Sequence, residues 1–120
     1  MSSFNVREQS GALILSFDGA AGLNDFRNSS LRDSLYELIQ NRQDPQVALD
    51  LGTIDYLSSS GVAILVGVKR RSDTRGGKVV LFHVQPIVQD LLKVMKLDRY
   101  FQSAESEAAA LSMLRAVPTH

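Results

Sequence analysis

Residues Val47 to Arg71, VALDLGTIDYLSSSGVAILVGVKRR, decide the fold of this chain. The stretch opens on a short apolar run, Val47 to Leu51, set between the breakers Pro45 and Gly52, and its length and flanks predict a buried strand. A second apolar pair, Tyr56 and Leu57, leads into Ser58, Ser59, Ser60 and Gly61. Ile64, Leu65 and Val68 then share one face at helical spacing. The serines therefore stand where a strand-derived loop feeds a helix N-terminus, a place that favours hydroxyls because their oxygens accept from orphan backbone N–H groups.

Two roles suit that position. In the commoner one, Ser58 or Ser59 caps the helix and Gly61 gives room where the first turn meets the sheet. In the sharper one, a phosphate on Ser60 would lie at the positive end of the helix dipole among free N–H donors.

Composition narrows the remaining classes. With 120 residues the chain fits one domain able to bury roughly two-thirds of its unfolded surface. It is 44% hydrophobic and 22% charged, and no apolar run approaches the roughly 18 residues of a bilayer helix, so a soluble protein with no membrane insertion is expected. Thirteen basic and thirteen acidic residues cancel, which removes the broad attraction that non-specific nucleic-acid binding uses. Cysteine is absent and the N-terminus carries no secretory apolar region, so a cytoplasmic location is expected.

Working outward, Phe4–Glu8 and Ala12–Phe17 predict a hairpin of two strands, with a turn at Gln9 to Gly11. Asp18 to Gly22 is too rich in glycine to continue a strand and reads as a loop. Phe26, Leu31, Leu35, Leu38 and Ile39 predict one helix from a cap at Asn24 or Asp25 to about Gln40. The central helix runs from Ser59 or Ser60 to about Thr74 and ends at Gly76–Gly77. Val79–Val84 is the next buried strand, with His83 inside it, and Pro86 starts a third helix whose apolar face is Val88, Leu91, Leu92 and Met95. A short strand around Tyr100–Phe101 and a helix from Glu105 to Ala116, with Ala108, Leu111 and Leu114 inward, complete the chain before a frayed tail, Val117 to His120. The expected class is α/β: one mixed sheet of four to five strands with about four helices, an opening hairpin and then β/α crossovers.

No catalytic set accompanies the serines. A nucleophile elbow around Ser60 would need glycines where Ser58 and Val62 stand, and the two histidines, His83 and His120, offer no evident base. The acidic residues Glu8, Asp18, Asp25, Asp33 and Asp50 lack metal-ligand spacing, so neither metal nor cofactor is expected. Gly76–Gly77 follows a helix and precedes a strand, the reverse of a phosphate-cradling loop. Lys69, Arg70, Arg71 and Arg75 suit the negative end of their helix and read as a solvated face.

Several of these features together resemble the STAS domain, the family of bacterial anti-sigma factor antagonists and of sulphate-transporter tails. Asp50–Leu51, Tyr56–Leu57, Ser59–Ser60–Gly61, Gly76–Gly77, Val79–Phe82 and Pro86 match its pattern in order and spacing, and Leu97, Tyr100 and Phe101 fit its ending. The resemblance implies a non-enzymatic anti-sigma factor antagonist. Its partner would be an anti-sigma factor with serine kinase activity, which the unphosphorylated form binds to release a sigma factor. Phosphorylation of Ser60 would switch that binding off, and a phosphoserine phosphatase would reset it. It also implies a contact surface of Asn24, Asp25, Leu57, Ser58, Ser59, Ser60, Gly61 and Val62.

Two positions depart from the pattern. The family's acidic residue before Ser-Ser-Gly is Ser58 here, and the aspartate of its Leu-Asp is Asn24. Both sites have lost a carboxylate. If the family's carboxylates help a kinase orient the hydroxyl, phosphorylation of Ser60 would be slowed here. The alternatives are a non-phosphorylated scaffold subunit, in a signalling complex or beside a lipid transporter, and a nucleotide or anion site at the same helix start.

Overall fold

The computed structural model describes residues 4–25, 27 and 29–115. Strands β1 (Phe4–Gln9) and β2 (Ala12–Phe17) form the expected hairpin, turning through Ser10 and Gly11, both at positive φ. Next come helices α1 (Ala20–Asn24) and α2 (Ser29–Gln40), strand β3 (Gln46–Asp50), helix α3 (Ser59–Thr74) and strand β4 (Lys78–Phe82). Helix α4 (Pro86–Val94), strand β5 (Gln102–Ala104) and helix α5 (Glu107–Arg115) follow.

The five strands lie in the sheet in chain order, β1 antiparallel to β2 and every later pair parallel. Parallel neighbours need crossovers of one hand, so connections that step steadily across a sheet place their helices on the same face. The packing follows. Leu13, Leu15, Val47, Leu49, Val79 and Leu81 point from the sheet toward Leu31, Leu35 and Ile39 of α2, Ile64, Leu65 and Val68 of α3, and Val88 and Leu92 of α4. The alternate residues Ile14, Ala48, Val80 and Phe82 meet Ala110, Leu111 and Leu114 of α5 on the other face. Central strands buried on both faces explain the near-continuous apolar runs of β2, β3 and β4.

Close approach of α2 to α3 depends on Gly67. A Cβ there would sit 2.1 Å from the Tyr36 hydroxyl, and the Arg71 guanidinium lies over the same ring, 3.7 Å from its centroid. The basic residues of α3 are thus not uniformly solvated. Lys69 pairs with Asp73 at 3.0 Å and stands over Tyr100, while Arg75 donates to the carbonyl of Arg42.

The structure corrects the sequence reading in five places. The glycine-rich Asp18–Gly22 is not wholly loop: α1 begins at Ala20, so the described residues form five helices where about four were expected. Asn24 therefore closes α1 instead of capping α2, which starts only at Ser29; Phe26 and residues 116–120 lie outside the described residues. Strand β4 stops at Phe82, because His83 turns to φ 55° and its ring, 49% exposed, leaves the sheet. Tyr100 and Phe101 precede the last strand, Phe101 turning into the core while Gln102–Ala104 make the ladder with β4. Lastly, Met95 and Ala108 point outward, and Ala110 takes the inward place expected of Ala108.

Candidate functional site

The residues between β3 and α3 form a loop held at both ends. At its start the Asp50 carboxylate accepts from the Gly52 N–H (2.9 Å) and lies 3.1 Å from His83 Nδ1, while Gln85 Nε2 donates to the Gly52 carbonyl at 2.8 Å. Thr53 Oγ1 donates to the carbonyl of Phe17, and Ile54 is fully buried. Tyr56, by contrast, is 46% exposed. The loop is therefore rooted through Thr53 and Ile54 and presents Tyr56 outward.

At the far end Ser58 has extended backbone and its hydroxyl accepts from the Gly61 N–H at 3.1 Å, the geometry of an N-cap. Of the two serines proposed as cap, Ser58 takes the role. Its oxygen also donates toward Asn24, whose main-chain and side-chain oxygens lie at 3.0 and 3.1 Å. Asn24 is buried, and its carboxamide is fully used. Nδ2 donates to the carbonyls of Ala20 and Tyr56, both at 2.9 Å, and Oδ1 accepts the Ser58 N–H at 2.6 Å.

Gly61 completes this junction. A Cβ there would lie 2.1 Å from Asn24 Oδ1 and 3.0 Å from its Cγ, so only glycine lets the first turn of α3 press against the carboxamide. Ser59 is exposed and Ser60 half-buried, and among the described residues neither hydroxyl has a hydrogen-bond partner. Leu57 and Val62 are half-buried on either side. Asp25 follows Asn24 at the surface, where hydrogen bonding to the Arg27 side chain, at 3.1 Å, holds its carboxyl below the usual value.

Of the eight residues expected at the contact surface, Leu57 to Val62 run through the loop end and first turn of α3 and Asn24 and Asp25 stand at the end of α1, with Asn24 and Gly61 buried beneath the others. Reasoning from sequence saw Asn24 as a helix cap, a substituted aspartate or a contact residue, and not as the buried partner of Ser58. Its contact with Ser58 spans 34 residues and leaves no local signal. His83 and Asp50 were likewise not paired by that reading. Among the described residues no three of His, Cys, Asp or Glu cluster as a metal site, and no helix is long and apolar enough to cross a membrane.

The STAS domain model matches residues 3–110. The chain belongs to the STAS domain family. This STAS domain is 28% identical, over 89% of its length and 90% of the other, to an anti-sigma F factor antagonist of Paenibacillus polymyxa. Its fold superposes with a TM-score of 0.84 on a STAS domain protein from Planctomyces limnophilus, at 19% identity and covering 97% of this chain and all of that one. The unphosphorylated form of the anti-sigma factor antagonist SpoIIAA gives a TM-score of 0.76 at 16% identity, over 97% and 99% of the two chains. The mixed sheet with its helices is thus the STAS fold, and the chain's curated relatives are named as anti-sigma factor antagonists.

Proposed function

We propose that this STAS domain is a bacterial, cytoplasmic anti-sigma factor antagonist that works by partner switching, with Ser60 as the switch. The unphosphorylated domain binds an anti-sigma factor that is also a serine kinase and frees a sigma factor. Phosphorylated Ser60 ends the complex, and a phosphoserine phosphatase restores it. The domain itself is a substrate and binding module rather than an enzyme.

One observation carries this reading: the capping duty at α3 has been taken by Ser58, which leaves the half-buried Ser60 in the first turn with its hydroxyl unbonded. A phosphate there adds about two negative charges and three acceptor oxygens at the positive end of a helix dipole. The helix tolerates that charge, so the fold survives. A partner packed on Tyr56, Leu57, Ser59, Val62 and Asp25 does not, because desolvating the phosphate is costly and a neighbouring carboxylate repels it.

The test is to incubate the protein with ATP and the serine kinase encoded nearest its gene, and to map phosphate by mass spectrometry. A single phosphate, lost in Ser60→Ala, is expected. Equal phosphorylation of the Ala variant would remove Ser60 from the role. A stable assembly that forms regardless of Ser60→Asp, without phosphorylation, would favour the scaffold alternative.

A further inference from the structure

Where the end of α1 meets the start of α3, two neutral side chains, Asn24 and Ser58, are bonded to each other. We infer that Asn24 is the positioning residue of the Ser60 turn and that it does this work only as a neutral amide, with Ser58 as its matched partner. The inference rests on the switch reading given above and deepens it.

Polarity at the junction leaves a single solution. Two carbonyls, those of Ala20 and Tyr56, point at one end of the residue 24 side chain from 2.9 Å, and they require a donor. The Ser58 N–H points at the other end from 2.6 Å and requires an acceptor. Asparagine meets both demands. An ionised aspartate would set an oxygen anion against two carbonyl oxygens in a buried position, so it would either take up a proton or let go of the loop.

A carboxylate at position 58 meets the converse obstacle. It could still cap the Gly61 N–H, but it would face Asn24 O and Oδ1 at about the 3.0 and 3.1 Å where Ser58 now supplies a proton. The chain between Ser58 and Gly61 carries Ser60, so whatever holds Ser58 and Gly61 to Asn24 sets where the Ser60 hydroxyl is offered. All the hydrogen-bond partners of the Asn24 side chain are uncharged, and the carboxylate next to it in sequence, Asp25, is engaged by Arg27.

The experiment compares wild type with Asn24→Asp by amide hydrogen exchange and by NMR titration. At neutral pH the variant is expected to lose about tenfold or more of its protection at the amides of Ser58 and Gly61, while Val47–Leu49 in β3 keep theirs. Acidification should return both amides to wild-type shifts as the introduced carboxyl takes up a proton, with a midpoint above the ordinary aspartate value. Wild type, which retains Asp25 and Asp55, should show no such step. Ser60 phosphorylation of the variant should fall about tenfold in kcat, with KM for the protein little changed, and recover along the same pH curve.

Unchanged protection and shifts at Ser58 and Gly61 in Asn24→Asp would overturn the inference. Should that variant not fold, Ser58→Ala decides: the residue 58 amide is expected to stay protected through Asn24 Oδ1 while Gly61 loses its acceptor, and equal loss at both would count against the assignment. The exchange readout needs no partner. Failure of wild-type phosphorylation would thus end the switch reading while leaving the amide lock standing, and the reverse outcome would do the opposite.

Discussion

Helices α3 and α4 leave the same end of adjacent parallel strands, yet their starts are built by different chemistry. At α3 a hydroxyl cap, a glycine without room for a methyl group and a fully bonded carboxamide from a distant helix make one polar knot. At α4 proline begins the helix, and Gln85 gives no side-chain cap and instead donates to the Gly52 carbonyl. Proline needs no such support, since its fixed φ is already helical and its missing N–H is one the first turn cannot use. The difference teaches that the α3 start is held to high definition by tertiary contacts, while the α4 start is specified locally. The outward residues differ correspondingly: unbonded hydroxyls at Ser59 and Ser60, against exposed Ile87 and Val94 on α4.

Substitutions at the two helix starts should separate these modes of construction. The largest effect is expected for Gly61→Ala, because the methyl group meets a carboxamide pinned by four hydrogen bonds. A destabilisation of about 2–3 kcal/mol is expected in urea unfolding, and a loss under about 1 kcal/mol would mean the carboxamide swings aside freely. Ser58→Ala should cost about 1 kcal/mol or somewhat more, as the lost cap also frees the contact with Asn24. On the α4 side Pro86→Ala should cost only about 0.5–1 kcal/mol, mainly through the unfolded chain, and thermal unfolding is sufficient to rank it below Ser58→Ala.

Smaller effects sharpen the contrast. Ser60→Asp should raise stability by about 0.3–1 kcal/mol at low ionic strength, fading with added salt, because a negative charge suits the first turn. If the proposed switch holds, the same variant should fail to bind the anti-sigma factor in a pull-down, which separates folding from binding at one residue. Val94→Ser, on a residue 79% exposed, should stay within about 0.5 kcal/mol of wild type by calorimetry.

Much of the fold was legible because its signals are local. Breakers at Pro45 and Gly52 bound a strand, and the apolar spacing of Ile64, Leu65 and Val68 marks a helix whatever else the chain does. Where local signals conflicted with tertiary ones, the tertiary ones prevailed. AAGLN, only five residues long and interrupted by glycine, is too short to hold a helix by itself, but α1 forms because Leu23 is fully buried and Asn24 is bonded at both ends of its amide. Val79 to Val84 reads as one continuous strand, but the His83–Asp50 contact and the Gln85–Gly52 bond lie where the chain turns off the sheet after Phe82. Tyr100 and Phe101 have strand-like side chains, yet a core position for Phe101 and a place beside Lys69 for Tyr100 leave the ladder to Gln102–Ala104.

By itself the sequence determined that a strand, a hydroxyl-rich turn and a helix follow one another in a chain of alternating elements, since periodicity and breakers act between near neighbours. Which hydroxyl would cap and which would remain free was decided only in three dimensions. That outcome depends on Asn24 arriving from 34 residues away with a donor and an acceptor facing opposite ways, and hydrogen-bond direction between distant segments exists only after the sheet has brought them together.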